Sequence, residues 1–382
     1  MDKSILVVST QYPSYGGAST NAYAIIKYLR QNNYNVIGVF IENDDDIDVD
    51  PENMGNIYHF KLYPFQYGMT NKILEYRKII NAVGNRAPSI ILCKNYLSPI
   101  YSKILYPNSK IIYLVSGLCN AIEICTQTPT NLIISNNIKL CQSKNEIRAI
   151  NNSDLIVINS MITFTIFNTS YGEYKNKLYP KIVDTSQYAS ILIDDGANNN
   201  NKIYDFIIVA SILTRKEKNN EFLIQILKNP LFDQYSKLIV GNNNINFFDI
   251  PNATIYDSLP HNTLMNLMNR SKILLYPSLY DSNSNTIREA VYNKCLILMS
   301  NNIGFYESFP DFSICKTYEL EEWINKSIYL VNNYDTIVKN YNIDFGSDEH
   351  ILLDLVDYLL DKSAINQSSI IKHQSSIINH KS

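Results

Sequence analysis

The sequence contains no Cys-x-x-Cys pair and no His-Glu-x-x-His, and its six cysteines (positions 93, 119, 125, 141, 295 and 315) follow no ligand spacing. That argues against a zinc site and against a disulfide framework, and it leaves buried reduced thiols of an intracellular protein as the expectation. No apolar run approaches the roughly 18–20 residues of a membrane span. Met1-Asp2-Lys3 leads straight into a strand-like run rather than a secretory leader, so a cytoplasmic location is expected. Gly-x-Ser-x-Gly, Gly-x-x-x-x-Gly-Lys-Ser/Thr and Gly-x-Gly-x-x-Gly are all missing, which argues against an α/β-hydrolase, a P-loop NTPase and a dinucleotide-binding fingerprint. Basic clusters interleaved with stacking aromatics are also missing, so no nucleic-acid partner is expected.

Charge is sparse as well. Charged residues make up 18% of the chain and the net charge is −3, with 49 Asn supplying polarity instead. This bias makes Asn-based motifs uninformative. What is plentiful is apolar surface: hydrophobic residues reach 46% and aromatics 12% over 382 positions, enough for sizeable cores in about two domains. Residues 1–190 hold 17 Lys/Arg against 14 Asp/Glu, and seven of those acids sit between Glu42 and Glu52. Apart from that run the first half is strongly basic. It is read either as solvated charge or as a face for an acidic acceptor or for peripheral contact with an anionic membrane.

Short β-branched runs alternate with helical stretches. Strands are expected at Ser4–Ser9, Val36–Phe40, Ser89–Lys94, Lys110–Ser116 and Leu155–Asn159, with helices near Ser19–Leu29 and Ser98–Leu105. The rhythm breaks between 185 and 203, where Asp194–Asn201 reads as a linker. A second series follows, with strands Tyr204–Ala210, Lys237–Val240, Ala253–Tyr256, Ile273–Tyr276 and Leu296–Met299. Helices are expected between them near Asn219–Leu227, Asn262–Met268 and Thr286–Asn293. Unbroken apolar strands separated by helix-length segments are the mark of parallel sheets covered on both faces. The fold class is therefore α/β. The domains divide as 1–190 and 191–345, a late helix within 346–362 that could return to the first domain, and a low-complexity tail at 363–382 expected to be disordered.

Two strand-to-helix junctions could hold a ligand. The first is Tyr15-Gly16-Gly17-Ala18-Ser19-Thr20, where paired glycines let backbone amides approach an anion; the alternative is an ordinary turn with Ser19 as N-cap. The second runs from Tyr276-Pro277-Ser278 through Asp281 to Ser284-Asn285-Thr286 and Glu289-Ala290. Its carboxylates lie eight residues apart and could accept hydrogen bonds from sugar hydroxyls. Alternatively, Thr286-x-x-Glu289 is a capping box. The acidic run Asp44–Asp50 lacks the Gly and terminal Glu of a calcium loop and reads as a solvated loop. His59, His261 and His350 are isolated, and His261 opens a helix where it could touch a ligand.

The second junction resembles the Glu-x7-Glu motif of GT-B nucleotide-sugar glycosyltransferases, especially the family 4 retaining group, with Pro277-Ser278-x-x-Asp281 and Glu289-Ala290 at the same intervals. Tyr12-Pro13 with Gly16-Gly17, Ser153-Asp154 to Asn159-Ser160, Val209-Ala210-Ser211 with Arg215, Lys216 and Lys218, Val240-Gly241 and Tyr256–Leu264 fall in the same order. The resemblance implies a GT-B fold, two Rossmann-like parallel-sheet domains facing a cleft. It implies transfer of a hexose-like sugar from a UDP- or GDP-linked donor to a hydroxyl of a glycan, lipid or protein acceptor, with retention and with no metal or other cofactor.

By the same resemblance Asp281, Lys218 and Arg215 are the catalytic candidates, with Asp281 facing the donor sugar. Glu289 would bind the ribose, and Ser284, Asn285 and Thr286 the diphosphate, supported by Lys216, Ser211, Gly16, Gly17 and Ser116. Asp281 replaces the usual Glu, Ser211 a frequent Arg, and Ser116 a His that commonly touches the donor sugar. These departures also fit a degenerate protein that binds a sugar nucleotide or glycan without turnover. A sugar-nucleotide epimerase of the same fold is a third reading, disfavoured by the few histidines.

Overall fold

A computed structural model describes residues 4–9, 17–42, 57–61, 83, 87–118, 120–121, 142–192, 201–242, 244–346, 348 and 350–360. The first domain contains strands β1 (Ser4–Ser9), β2 (Asn35–Glu42), β3 (Ile57–Lys61), β4 (Ile90–Lys94), β5 (Lys110–Leu114) and β6 (Leu155–Val157). They form one parallel sheet in the order β3-β2-β1-β4-β5-β6. Helices α1 (Gly17–Gln31), α2 (Ser98–Leu105), α3 (Lys144–Asn151) and α4 (Met161–Tyr171) cover it. Every residue of β4 is buried, as expected for a strand with helices on both faces. Helix α1 packs through Ala22, Ile25, Ile26 and Leu29, all fully buried at helical spacing. A side chain at Gly38 would lie 2.6 Å from Ile26 Cδ1, so the glycine in β2 is what lets α1 sit this close.

The second domain repeats the plan. Strands β7 (Tyr204–Ile212), β8 (Lys237–Asn242), β9 (Ala253–Tyr256), β10 (Ser271–Tyr276), β11 (Leu296–Ser300) and β12 (Ile314–Cys315) run parallel in the order β12-β11-β10-β7-β8-β9. Helices α5 (Asn220–Leu227), α6 (His261–Asn269), α7 (Asn285–Tyr292), α8 (Leu320–Asn332) and the short α9 (Tyr334–Ile337) accompany them. Trp323 of α8 is fully buried, its ring edge-on to Phe222 at 5.8 Å. Both sheets thus have the doubly wound order, with reversal points between β1 and β4 and between β7 and β10.

Three expectations need correction. The break in rhythm expected from 185 does not start there: Thr185–Leu192 forms a 3-10 segment, and Tyr188 is buried in the first core with its ring 4.5 Å from that of Tyr28. Its large apolar ring outweighs the polar company of its neighbours. Ser19 does not cap α1, because the helix already begins at Gly17. Edge strands β3 and β12 escaped the sequence reading: β12 is only two residues long, and β3 (IYHFK) interrupts its apolar run with His59 and Lys61. The acidic run Asp44–Asp50, the polar stretch 194–200, Gly16 and the tail 363–382 lie outside the described residues. Helix α10 (Ile351–Leu360) buries Ile351, Leu352, Leu355, Val356 and Leu359 in the first domain's core, so the chain crosses between domains twice.

Candidate functional site

The loops that leave β7 and β10 at the second reversal point, 213–219 and 277–284, carry the candidate residues. The two loops are tied together: the Leu279 amide donates to the Glu217 carbonyl at 2.8 Å. Lys216–Lys218 makes a single 3-10 turn, and Asn219 adopts the left-handed region (φ 56°) before α5 starts. This turn brings Lys218 back over the strand ends. Its ammonium donates to the Tyr276 hydroxyl at 2.9 Å and lies 3.3 Å from Asp281 Oδ2. Tyr276 in turn donates to Asp281 Oδ2 at 2.7 Å and accepts from Ser284 Oγ at 3.0 Å. The other oxygen, Asp281 Oδ1, accepts from the Asn283 amide at 3.1 Å. Burial alone would lower the Lys218 pKa, but Tyr276 and Asp281 outweigh it and hold the ammonium firmly charged. Burial, then the Asp281 charge, pushes the Tyr276 phenol up, so it remains a proton donor.

Helix α7 starts at Asn285 with Ser284 as its N-cap, whose Oγ accepts from the Ile287 amide at 3.3 Å. The capping box expected at Thr286 and Glu289 is therefore not formed, because Ser284 already occupies the capping place and Glu289 lies beyond the third helical position. Glu289 is only partly exposed, and burial pushes its carboxyl up to about 7. Among the described residues nothing hydrogen-bonds that carboxylate. The amides of Asn285 and Thr286 have no partner within the helix by its geometry. Asn285 Oδ1 is buried with no partner among the described residues. A side chain at Gly17 would lie 3.5 Å from Asn285 Nδ2, so the N-termini of α1 and α7 converge. Two positive helix ends and a nearby ammonium are arranged as an anion would require, with the Glu289 carboxylate beside them.

The other sequence candidates are distributed around this centre. Arg215 is exposed and pairs with Glu217 on its own loop. Lys216 and Ser211 are exposed. Ser116 sits two residues past β5; its Oγ is buried with no partner among the described residues, while its carbonyl accepts from Ser282 Oγ of the second domain. His261 opens α6 as an exposed residue. The sequence reading missed Tyr276 as a site residue, although it adjoins the Pro277-Ser278 stretch. It also missed Asp184, Asn283 and Arg288. Asp184 Oδ1 accepts from Asn283 Nδ2, and its Oδ2 pairs with Arg288 Nη2. Lys94, at the end of β4, was missed too; it is fully buried, donates to Thr185 Oγ1 at 2.9 Å, and is pushed down to about 7 by burial against the opposing pull of Asp184.

The loop after β10 also anchors the interface. Leu279 and Tyr280 are buried among Tyr113, Val115, Ile158 and Phe167 of the first domain. Asn159 Nδ2 donates to Ser282 Oγ at 3.3 Å. Gly304 makes this possible, since a side chain there would meet the Ser282 carbonyl oxygen at 1.9 Å. Among the described residues no group of three or more His, Cys, Asp or Glu could hold a metal ion, and no helix is long and apolar enough to cross a membrane.

No family model and no curated protein matches the chain. Solved structures do. Sucrose-phosphate synthase from Thermosynechococcus elongatus superposes with a TM-score of 0.63 at 13% identity, over 99% of this chain and 98% of that one. Anabaena HepE in complex with UDP-glucose gives 0.59 at 12% identity, over 98% of both chains. WaaG, described as a glycosyltransferase involved in lipopolysaccharide biosynthesis, gives 0.58 at 12% identity, over 94% of this chain and all (100%) of that one. With two doubly wound parallel sheets meeting at their reversal points and full-length likeness to these proteins, the chain has the GT-B fold.

Proposed function

We propose that this protein is a nucleotide-sugar glycosyltransferase that moves a hexose-like sugar from a UDP- or GDP-linked donor to a hydroxyl of a glycan, lipid or protein acceptor. The observation that carries this reading is the unpartnered Glu289 carboxylate one turn into α7, beside converging helix N-termini. A ribose offers two hydroxyl donors to such an acceptor, and a diphosphate offers the charge that the helix ends lack. The solved relative that contains UDP-glucose supports the same ligand class.

In this reading Lys218 and the Asn285 and Thr286 amides neutralise charge that develops on the leaving phosphate. One such preorganised donor is worth about 3–4 kcal/mol of barrier, so several together replace a divalent ion. Asp281, fixed by Tyr276 and Asn283, presents its remaining lone pairs to the donor sugar. The interdomain contact at Leu279 and Tyr280 keeps water from the donor. Retention needs no dedicated protein nucleophile, and none is assigned. A cytoplasmic setting, with the basic first half against an anionic membrane where the acceptor is a lipid, belongs to the same proposal.

The test is calorimetry and thermal shift against UDP, GDP, ADP and their sugar conjugates, followed by mass spectrometry of products with the donor that binds. A ligand at a hundred times its Kd raises stability by about 2.7 kcal/mol, well within reach of a melting curve. Absence of binding to every nucleotide at millimolar concentration overturns the reading. A second reading, binding without turnover, is favoured by one observation: both Asp281 oxygens are already engaged, by Tyr276, Lys218 and Asn283. Nucleotide binding with no product from any donor would select it.

A further inference from the structure

One carboxylate of the first domain touches both halves of the candidate site. Asp184 is 7% exposed and lies on the segment that enters the first crossing between domains. Its Oδ1 accepts from Asn283 Nδ2, and the Asn283 amide in turn donates to Asp281 Oδ1 at 3.1 Å. Its Oδ2 pairs with Arg288 Nη2, on the residue directly before Glu289. The same Oδ1 also accepts from the Ser186 amide at 3.0 Å and from Ser186 Oγ at 2.7 Å, which fixes the carboxylate from its own side.

Arg288 is held just as firmly. Its guanidinium carbon lies 4.7 Å from the Phe305 ring centre and 4.1 Å from that of Phe345. Phe305 has φ 67°, a conformation that a bulky side chain adopts only when its surroundings impose it. Phe345 belongs to the second crossing, which leads into α10. The second crossing also touches the first domain next to Asp184, since Gln187 Nε2 donates to the Asp348 carbonyl at 3.2 Å. Asp184 therefore sits where both crossings, the loop of Asp281 and the first turns of α7 meet.

The geometry points to Asp184 as a positioning residue that sets the spacing of Asp281 and Glu289, so that the donor pocket is complete only while the two domains are closed. This rests on the glycosyltransferase reading for its chemistry, but not for its structural content. Helix α7 keeps its own anchors in the second core, Ile287 and Ala290, so Glu289 still binds nucleotide when Asp184 is altered. The loop of Asp281 is held in its own domain by backbone hydrogen bonds to Glu217, Asn302 and Gly304, but its apolar side chains, Leu279 and Tyr280, are seated in the other one, so its position depends on both domains. Loss of Asp184 consequently affects turnover more than affinity.

The test uses the full chain carrying Asp184→Asn, and Arg288→Met as a second variant that leaves Asp184 with Ser186, Asn283 and Lys94. Lys181→Ala, which breaks the exposed 3.6 Å pair with Asp354, is the control. Amide hydrogen exchange across residues 281–289 is expected to rise about tenfold in both variants and to stay unchanged in the control. With the donor that the wild-type protein turns over, kcat is expected to fall about a hundredfold while the Kd of the free nucleotide changes little. A purely structural role would lower the melting temperature and leave exchange at 281–289 and kcat per folded molecule alone; that result overturns the inference. If the wild-type protein binds no nucleotide, the functional reading fails, and the exchange experiment still decides the role of Asp184.

Discussion

Glu289 offers the sharpest prediction. Its carboxyl has an ordinary value of 4.5 and stands at about 7 in the folded protein, with burial as the only cause. A group with that shift is about one-tenth ionised at pH 6 and about nine-tenths ionised at pH 8. If the ionised form accepts the ribose hydroxyls, nucleotide affinity must climb roughly tenfold between those values. Hydrogen bonds to a charged acceptor are worth about 1.5–3 kcal/mol each, so Glu289→Ala raises Kd by about two orders of magnitude. Glu289→Gln keeps an acceptor but no charge, and should bind with a Kd that is flat across the same pH range. The linkage has a definite sign in the free protein. The folded state holds this proton between pH 4.5 and about 7 while the unfolded chain has lost it, so stability falls as pH rises through that window. The gap corresponds to roughly 3 kcal/mol, reduced to about 1–2 by the partial exposure of the group, and Glu289→Gln recovers it at pH 8. Calorimetry from pH 6 to 8 measures the affinities, and melting curves from pH 4.5 to 8 the stability change, for the wild-type protein and both variants. A pH-independent Kd in the wild type, or an unchanged Kd in Glu289→Ala, refutes the reasoning.

Lys218→Met removes the ammonium beside Asp281 and should lower kcat by about 10²–10³-fold in a steady-state assay, with nucleotide Kd affected far less. Tyr280→Ala empties a ring site in the first domain's core and should cost about 3–5 kcal/mol in denaturant unfolding. Gly304→Ala places a methyl group against the Ser282 carbonyl and should cost about 1–3 kcal/mol while displacing the Asp281 loop, seen as lost turnover at temperatures where the protein is still folded. Lys94 is held at about 7 against an ordinary 10.5, so the unfolded chain binds the extra proton above pH 7 and stability rises with pH from there. Lys94→Met should flatten that rise in melting curves between pH 7 and 9.

Much of this could be read from the chain. Unbroken apolar runs placed ten of the twelve strands among the described residues, since strands buried on both faces leave a strong local signal. Of the edge strands, Ile314–Cys315 carries too few residues for one, and Ile57–Lys61 breaks its apolar run with His59 and Lys61. The segment from Pro277 to Ala290 was legible as a junction because its strand, loop and helix are contiguous. The rest depends on distant partners. Nothing near Asp184 in sequence announces Arg288, 104 positions away, and nothing near Leu279 and Tyr280 shows that their side chains fill another domain's core. Thr286 and Ser284 were equivalent caps on residue type alone; the hydroxyl of Tyr276, at 3.0 Å, selects Ser284.

Helix Ile351–Leu360 has a consequence for how the protein comes into being. It fills a groove bounded by α1 and by Tyr179, Val183 and Tyr188, yet it is made after the whole second domain. During synthesis the earlier half must wait with that greasy groove open until Ile351–Leu360 has left the ribosome. A message truncated before residue 351 would yield two sheets and an unfinished body, one that sticks to its neighbours rather than a smaller working version of the protein.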